Sequence, residues 1–298
     1  MGTVFNYYLV GREIQGGRLP FDERNSLRKA VMDESNMFSW GSRNSATVGQ
    51  VEKSLDRLIV LEGIIDLPPS NYDLIERIFQ DGNQLIIHDL ELGVGDRVLV
   101  AVDGDLKFDM GKVYAITGNT GCGKTSFLSK IKGIKENGIY GKGGIIYPKI
   151  NNKYPKIVML SQQDYFPPNY SLKEILFYPD KFSGDLEAST RLIEEMGLTL
   201  DLDSKKNWYM RLSGGEKKKV LIISAILKKP DILILDEVFN GLDTDSIKLA
   251  RQMLRKYLPS SLIFVVDHHA REDNNNFYDK EVHFADEKIV LRDIVFQG

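Results

Sequence analysis

Cysteine is almost absent from the 298-residue sequence, in which Cys122 is the only one. A single cysteine cannot build a disulfide framework or a thiolate metal site within the chain, and this is typical of a reducing compartment. No apolar run approaches the roughly 20 residues that cross a bilayer, and the N-terminus is too polar for a signal peptide. We therefore expect a cytoplasmic protein that reaches a membrane only through a partner.

A strong net charge is also lacking. The 39 Lys and Arg residues nearly balance the 42 Asp and Glu residues, which leaves a net charge of −3. This balance argues against a general nucleic-acid binder, so no nucleic-acid partner is expected. The length is sufficient for a large core and for one or two domains.

The most informative stretch is residues 118–125, which match the phosphate-binding pattern G-x-x-x-x-G-K-[ST]. An apolar run at 113–117 predicts a strand before it, and 126–132 predicts a helix after it, which is the context that the pattern requires. Lys124 would reach the β- and γ-phosphates of a nucleotide, and the Thr125 hydroxyl would bind Mg²⁺. The predicted nucleotide-binding residues here are Gly118, Asn119, Thr120, Gly121, Cys122, Gly123, Lys124, Thr125 and Ser126.

Two acids, Asp236 and Glu237, follow the apolar run 232–235. Such a pair is often only a solvated strand end. In a chain with a phosphate-binding loop it favours catalysis, with Asp236 near Mg²⁺ and Glu237 orienting the attacking water.

A second helix start suited to anions comes at residues 212–216, the signature segment, made of Leu212, Ser213, Gly214, Gly215 and Glu216. A Ser-Gly-Gly sequence before an amphipathic helix combines a capping hydroxyl with exposed backbone N–H groups. Two such cradles can face one γ-phosphate only if they come from different subunits.

These motifs together resemble the nucleotide-binding domain of the ATP-binding-cassette (ABC) family. The resemblance covers roughly residues 84–298 and implies ATP hydrolysis with Mg²⁺ in a head-to-tail dimer with a second ABC domain. It also implies that Gln162 contacts Mg²⁺ and water, and that His268 contacts the γ-phosphate, with Gln163 and His269 as alternatives one position away. Gly241, Leu242 and Asp243 resemble the D-loop at the dimer contact.

The fold that the resemblance implies is an α/β, RecA-like P-loop core with a mostly parallel sheet, an antiparallel β subdomain and a helical subdomain. We expect this domain to occupy 83–298, after a small helical region at 1–82. In that region the spacing of Val48, Val51, Leu55 and Leu58 predicts one helix, and residues 71–82 predict another. The glycine-rich tract 138–154 is expected to be a surface loop.

The family resemblance predicts the ATPase subunit of an ABC transporter at the cytoplasmic face of a membrane, working with separate membrane-spanning partners. Residues 155–180 are similar to the branch of peroxisomal fatty-acyl and bacterial peptide-uptake half-transporters, and 1–82 would then be a remnant of a membrane domain. The alternative is a soluble ABC-type ATPase that acts mechanically or in regulation on a protein partner. Family members stack the adenine on an upstream aromatic, which is missing between Leu90 and Val100, so Tyr7 or Tyr8 is a substitute to consider.

Overall fold

The computed structural model describes residues 73–136, 138–161, 166, 170–178, 186–203, 208–267, 270 and 276–294. The chain divides after Ser70 into two units, and all described residues belong to the second. The helix expected around Val48 to Leu58 lies outside the described residues. Within the described ranges, no helix is long and apolar enough to span a membrane.

Within the same ranges, the strands form one mixed sheet in the order β1-β6-β2-β3-β11-β10-β5-β9-β8-β7, with β4 paired to β2. The strands are β1 (Asp73–Gln80), β2 (Gln84–Val94), β3 (Arg97–Ala101), β4 (Asp105–Asp109), β5 (Val113–Gly118), β6 (Ile139–Pro148), β7 (Ile157–Leu160), β8 (Ile232–Asp236), β9 (Leu262–Val266), β10 (Lys280–Ala285) and β11 (Lys288–Asp293). From β10 to β7 all neighbours are parallel, whereas β2 pairs antiparallel with β3, β4 and β6. The predicted α/β class is confirmed.

The described chain has five α-helices and one 3₁₀ helix, Trp208–Arg211. The α-helices are α1 (Lys124–Lys132), α2 (Leu172–Phe177), α3 (Leu186–Glu195), α4 (Gly214–Lys228) and α5 (Thr244–Tyr257). Helices α2 and α3 pack on α4 and form the helical subdomain. The central strands β8 and β9 are buried along their whole length. Leu233 and Leu235 enter one core, and Ile232 and Ile234 enter the core on the opposite face. Burial on both faces explains why these strands are continuous apolar runs.

The helix predicted for 71–82 is wrong, because residues 73–80 form β1, which pairs in parallel with β6. Ile75 is buried, while Leu74 and Ile78 stay exposed. Phe79 stacks on Tyr147 at a centroid distance of 5.0 Å. The apolar residues of this segment fit a helical face as well as a strand, and the partner strand decides between them.

The surface loop predicted for 138–154 is also wrong, because ten of these residues form β6 between β1 and β2. Glycines suit β6 because neighbouring segments approach its backbone closely. A Cβ on Gly143 would lie 2.4 Å from the carbonyl oxygen of Asp89, and its φ is +113°. This contact lies where the β2–β6 register shifts between His88 and Glu91, a position typical of a bulge.

Gly143 therefore should not tolerate a side chain. We expect Gly143→Ala to lower the free energy of unfolding by about 2 kcal/mol or more, since strained φ and a backbone clash combine. Gly144→Ala is the matched control, because an added Cβ there meets its nearest neighbour at 3.7 Å and no positive φ is required. Urea unfolding measures both variants, and equal losses would contradict the close-approach explanation.

Candidate nucleotide-binding site

The phosphate-binding loop leaves β5 at Gly118 and enters α1 at Lys124. Gly118 has φ +137°, and a Cβ there would lie 2.6 Å from the carbonyl oxygen of Phe284 on β10. Only glycine fits this backbone position, because the loop turns against the neighbouring strand. The phosphate-binding loop therefore lies tightly against β10 where it leaves β5.

The N-terminus of α1 suits an anion. Its capping residue is Gly123, which makes no side-chain capping hydrogen bond, and no acidic residue lies in the first turn. The N–H groups of that turn and the positive end of the helix dipole are therefore available to phosphate oxygens. Lys130 and Lys132 lie at the opposite end, where positive charge is favourable.

The Lys124 side chain folds back along the loop and is buried. Its Nζ donates hydrogen bonds to the carbonyl oxygens of Gly118 and Asn119, both at 2.8 Å. The ammonium is thus held over the loop by two neutral acceptors. An ammonium held in this way can turn to an incoming phosphate, which offers a stronger, charge-assisted bond.

The loop and the end of β8 meet through one hydrogen bond. The Thr125 hydroxyl donates to Oδ2 of Asp236 at 2.9 Å, although the two residues are 111 positions apart. Burial raises the pKa of Asp236, the Thr125 hydrogen bond opposes this shift, and the charge of Glu237 adds to it. A poorly solvated carboxylate beside a hydroxyl is a favourable pair of oxygen ligands for Mg²⁺.

Glu237 follows directly and has φ +55°, a left-handed conformation that is unusual for a glutamate. The backbone turns here, and the Asn240 side-chain amide donates to Glu237 Oε2 at 3.1 Å. We call residues 237–240 the catalytic turn, after the role predicted for Glu237. The left-handed backbone at Glu237 and the hydrogen bond from the Asn240 side-chain amide together fix the position of the Glu237 carboxylate beside Asp236.

The signature segment begins α4 with a capping box. Ser213 accepts from the backbone N–H of Glu216 at 3.2 Å, and the Glu216 carboxylate accepts from the Ser213 N–H at 2.8 Å. Hydrogen bonds from Ser213 lower the pKa of Glu216. Ser213 and Gly214 are exposed, so this helix start is open to a partner molecule.

The residues of this site lie in a part of the chain that is similar to known proteins. Residues 102–240 match the family model described as ABC transporter. The phosphate import ATP-binding protein PstB of Mycoplasma genitalium is 24% identical over a 270-residue alignment that covers 84% of this chain and 81% of that protein. The energy-coupling factor transporter ATP-binding protein EcfA2 of Staphylococcus aureus is 28% identical over a 210-residue alignment that covers 64% of this chain and 69% of that protein.

Residues 102–240 of this chain carry an ABC ATPase nucleotide-binding domain. A solved structure of an ATP-binding subunit of an ABC transporter shares the fold, with a TM-score of 0.57 and 21% identity over 71% of this chain and 90% of that one. The half-transporter branch suggested by residues 155–180 stays a prediction.

The predicted D-loop, residues 241–243, lies beside the signature segment of the same chain. A Cβ on Gly215 would lie 3.5 Å from the carbonyl oxygen of Gly241. Asp243 caps α5 by accepting a hydrogen bond from the Ser246 backbone N–H at 2.8 Å. Hydrogen bonds from Ser246 lower the pKa of Asp243. Lys218 on α4 donates to the Asn240 carbonyl oxygen, which ties α4 to the catalytic turn.

Four site residues predicted from sequence lie outside the described residues: Gln162, Gln163, His268 and His269. Their roles stay predictions. Sequence reasoning also missed a group near the site, the buried ion pair of Arg251 and Asp267. No motif connects these two residues, and only Asp267 stands next to a residue that the family resemblance singled out.

Lys124→Ala is expected to weaken ATP binding at least tenfold. One unit charge about 4 Å from another contributes roughly 4 kcal/mol at the effective dielectric of a protein surface, and a loss of 1.4 kcal/mol already costs tenfold. Lys135→Ala, which removes an exposed lysine beyond α1, is the control. Titration with a fluorescent ATP analogue measures both affinities, and equal values would exclude this loop as the phosphate cradle.

Proposed function

We propose that this chain is the ATP-binding and ATP-hydrolysing subunit of an ABC transporter. It would form a nucleotide-sandwich dimer, with itself or with a related subunit, that powers transport through membrane-spanning partners at the cytoplasmic face of a membrane. The proposal rests first on the pairing of Thr125 with Asp236 beside Glu237. PstB and EcfA2 are named as ATP-binding proteins of transporters, which supports the transport assignment.

Each residue of the site has a proposed part in hydrolysis. Thr125 and Asp236 would hold Mg²⁺, with Gln162 as a further ligand, and the ion would supply charge neutralisation at the phosphates. Lys124 and the loop amides would hold the β- and γ-phosphates. Glu237 would orient the attacking water and accept its proton, and His268 would contact the γ-phosphate.

The proposed dimer rests on the N-terminus of α4, which is the second helix start suited to anions. Ser213 and Gly214 are exposed, and their N–H-rich end of α4 would meet the γ-phosphate of a nucleotide bound to the other subunit. The D-loop, with Gly241 exposed next to Gly215, would lie in the same contact. Two composite sites per dimer result, and each needs residues of both subunits.

Glu237→Gln tests the site and the dimer together. We expect ATP hydrolysis to slow by roughly 10²–10⁴, the usual contribution of a positioned general base, while ATP affinity is unchanged. Because the γ-phosphate would then persist between the subunits, the variant should accumulate as a dimer with ATP and Mg²⁺ and revert with EDTA.

Light scattering of Glu237→Gln, with Glu195→Gln on α3 as a control for loss of a carboxylate, measures this state. A variant that stays monomeric with ATP and Mg²⁺ would contradict the composite-site dimer.

We propose that a membrane-spanning partner would contact exposed side chains beside the helical subdomain. We call it the aromatic patch: Tyr170 and Tyr178 are each 40% exposed, and Met210 is 68% exposed. The two tyrosine rings lie 5.7 Å apart, and the Trp208 indole N–H donates to the Tyr170 carbonyl oxygen at 3.0 Å. Exposed aromatic and methionine side chains of this kind are typical of protein contact sites.

Met210→Asp should therefore detach the chain from its membrane partner without changing ATP hydrolysis by the isolated subunit. Val290→Asp is the control, since it charges a 49% exposed residue on β11. Tagged wild-type chain and both variants are recovered from detergent-solubilised membranes, and mass spectrometry identifies stoichiometric membrane-spanning proteins. If the wild type recovers none and remains active, the soluble mechanical or regulatory ATPase is the better assignment.

A further inference from the structure

A buried ion pair lies next to the catalytic turn, between α5 and the end of β9. Arg251 donates from its terminal nitrogen to Oδ2 of Asp267 at 2.6 Å, and both side chains are about nine-tenths buried. The Tyr278 hydroxyl donates to the same oxygen at 2.5 Å, and Arg251 also contacts that hydroxyl at 3.3 Å. Two side chains from different parts of the chain, Arg251 and Tyr278, thus converge on one carboxylate oxygen of Asp267.

Aromatic rings surround the guanidinium. Its carbon lies 5.3 Å from the centroid of Phe239, 5.5 Å from that of Phe277 and 5.2 Å from that of Tyr278. Phe239 and Phe277 meet edge to face at 6.3 Å, and Phe277 meets Tyr278 at 4.9 Å. Cation–π contacts are stronger when the cation is desolvated, so the buried Arg251 holds these rings in one arrangement.

The position of the cluster relates it to hydrolysis. Phe239 belongs to the catalytic turn, two residues after Glu237. Asp267 follows β9, which pairs in parallel with β8 so that Asp236 lies opposite Val266. Arg251 therefore contacts both strand ends that bear the proposed catalytic machinery, through a ring on one side and a carboxylate on the other.

We propose that Arg251, Asp267 and Tyr278 form a clamp that fixes the catalytic turn against the end of β9 and so positions the Glu237 carboxylate. The three are positioning residues, since none of them is placed at the nucleotide. The clamp rests on the proposed role of Glu237 in hydrolysis.

Stability alone is a weak reason for such a pair. Burying a carboxylate and a guanidinium costs several kcal/mol each, and apolar replacements of buried pairs are often equally stable. What the pair supplies is a fixed geometry, because the planar guanidinium has directional donors and stacks on the ring faces. A turn with a left-handed glutamate needs such support, since the strained conformation persists only when its surroundings define it.

Tyr278→Phe is the first test, because it removes one hydroxyl and keeps the ring beside Arg251. We expect kcat for ATP hydrolysis to fall about tenfold with KM unchanged, as misplacement of a catalytic group by a fraction of an ångström suffices for this. Tyr257→Phe is the matched control: Tyr257 lies on α5, the helix that carries Arg251, and its hydroxyl donates to Glu195 of α3 at 2.6 Å, away from the turn. That variant should lose comparable thermal stability and keep its kcat.

A double-mutant cycle separates positioning from general weakening. In a Glu237→Gln background there is no carboxylate left to position, so adding Tyr278→Phe should slow the residual hydrolysis less than twofold. An equal tenfold loss in both backgrounds, no loss in the wild-type background, or the same loss from Tyr257→Phe would overturn the clamp. If Tyr278→Phe does not fold, Phe239→Leu replaces it in the same double-mutant cycle.

The proposed function and the clamp fail in different ways. If Glu237→Gln alone leaves hydrolysis unchanged, the catalytic role of Glu237 is wrong and the clamp falls with it. If Glu237→Gln slows hydrolysis as expected and the cycle is additive, the proposed function stands and only the clamp is excluded.

Discussion

The site depends on the parallel pairing of β5, β9 and β8. Because these neighbours run in one direction, their carboxyl ends lie at the same edge of the sheet. The phosphate-binding loop leaves β5 there, Asp236 and Glu237 end β8 there, and Asp267 follows β9 there. The hydrogen bond from Thr125 to Asp236 is a direct consequence, and it joins segments that are far apart in sequence.

The two buried carboxylates at this edge of the sheet are compensated for burial in different ways. Asp267 is paired with Arg251 and accepts from Tyr278, so its charge is compensated within the protein. Asp236 has a hydroxyl donor and a negative neighbour, and its pKa is raised. The first arrangement suits a structural support, whereas the second favours the arrival of a cation. The same chemical group thus holds the scaffold at one strand end and would bind the metal at the next.

The two errors of prediction, β1 and β6, have a common cause. The segment 73–80 has apolar neighbours at spacings that fit either a helix or a strand, and the tract 139–148 has glycines that usually mark turns. Each becomes a strand through pairing, and a Cβ on Gly141 of β6 would lie 2.6 Å from Cδ1 of Ile75 on β1. Local patterns cannot show a partner strand, so neither segment was predictable from its own residues.

The sequence by itself determined the phosphate-binding loop, the acids after β8, the capping segment before α4 and the central apolar strands. Each of these is a local pattern whose chemistry depends on residues within a few positions of one another. Only the tertiary structure decided that Thr125 bonds to Asp236, that glycines form a strand between β1 and β2, and that Arg251 joins Phe239 to Asp267. These contacts arise between distant residues, and they depend on strand order and burial, which no local pattern contains.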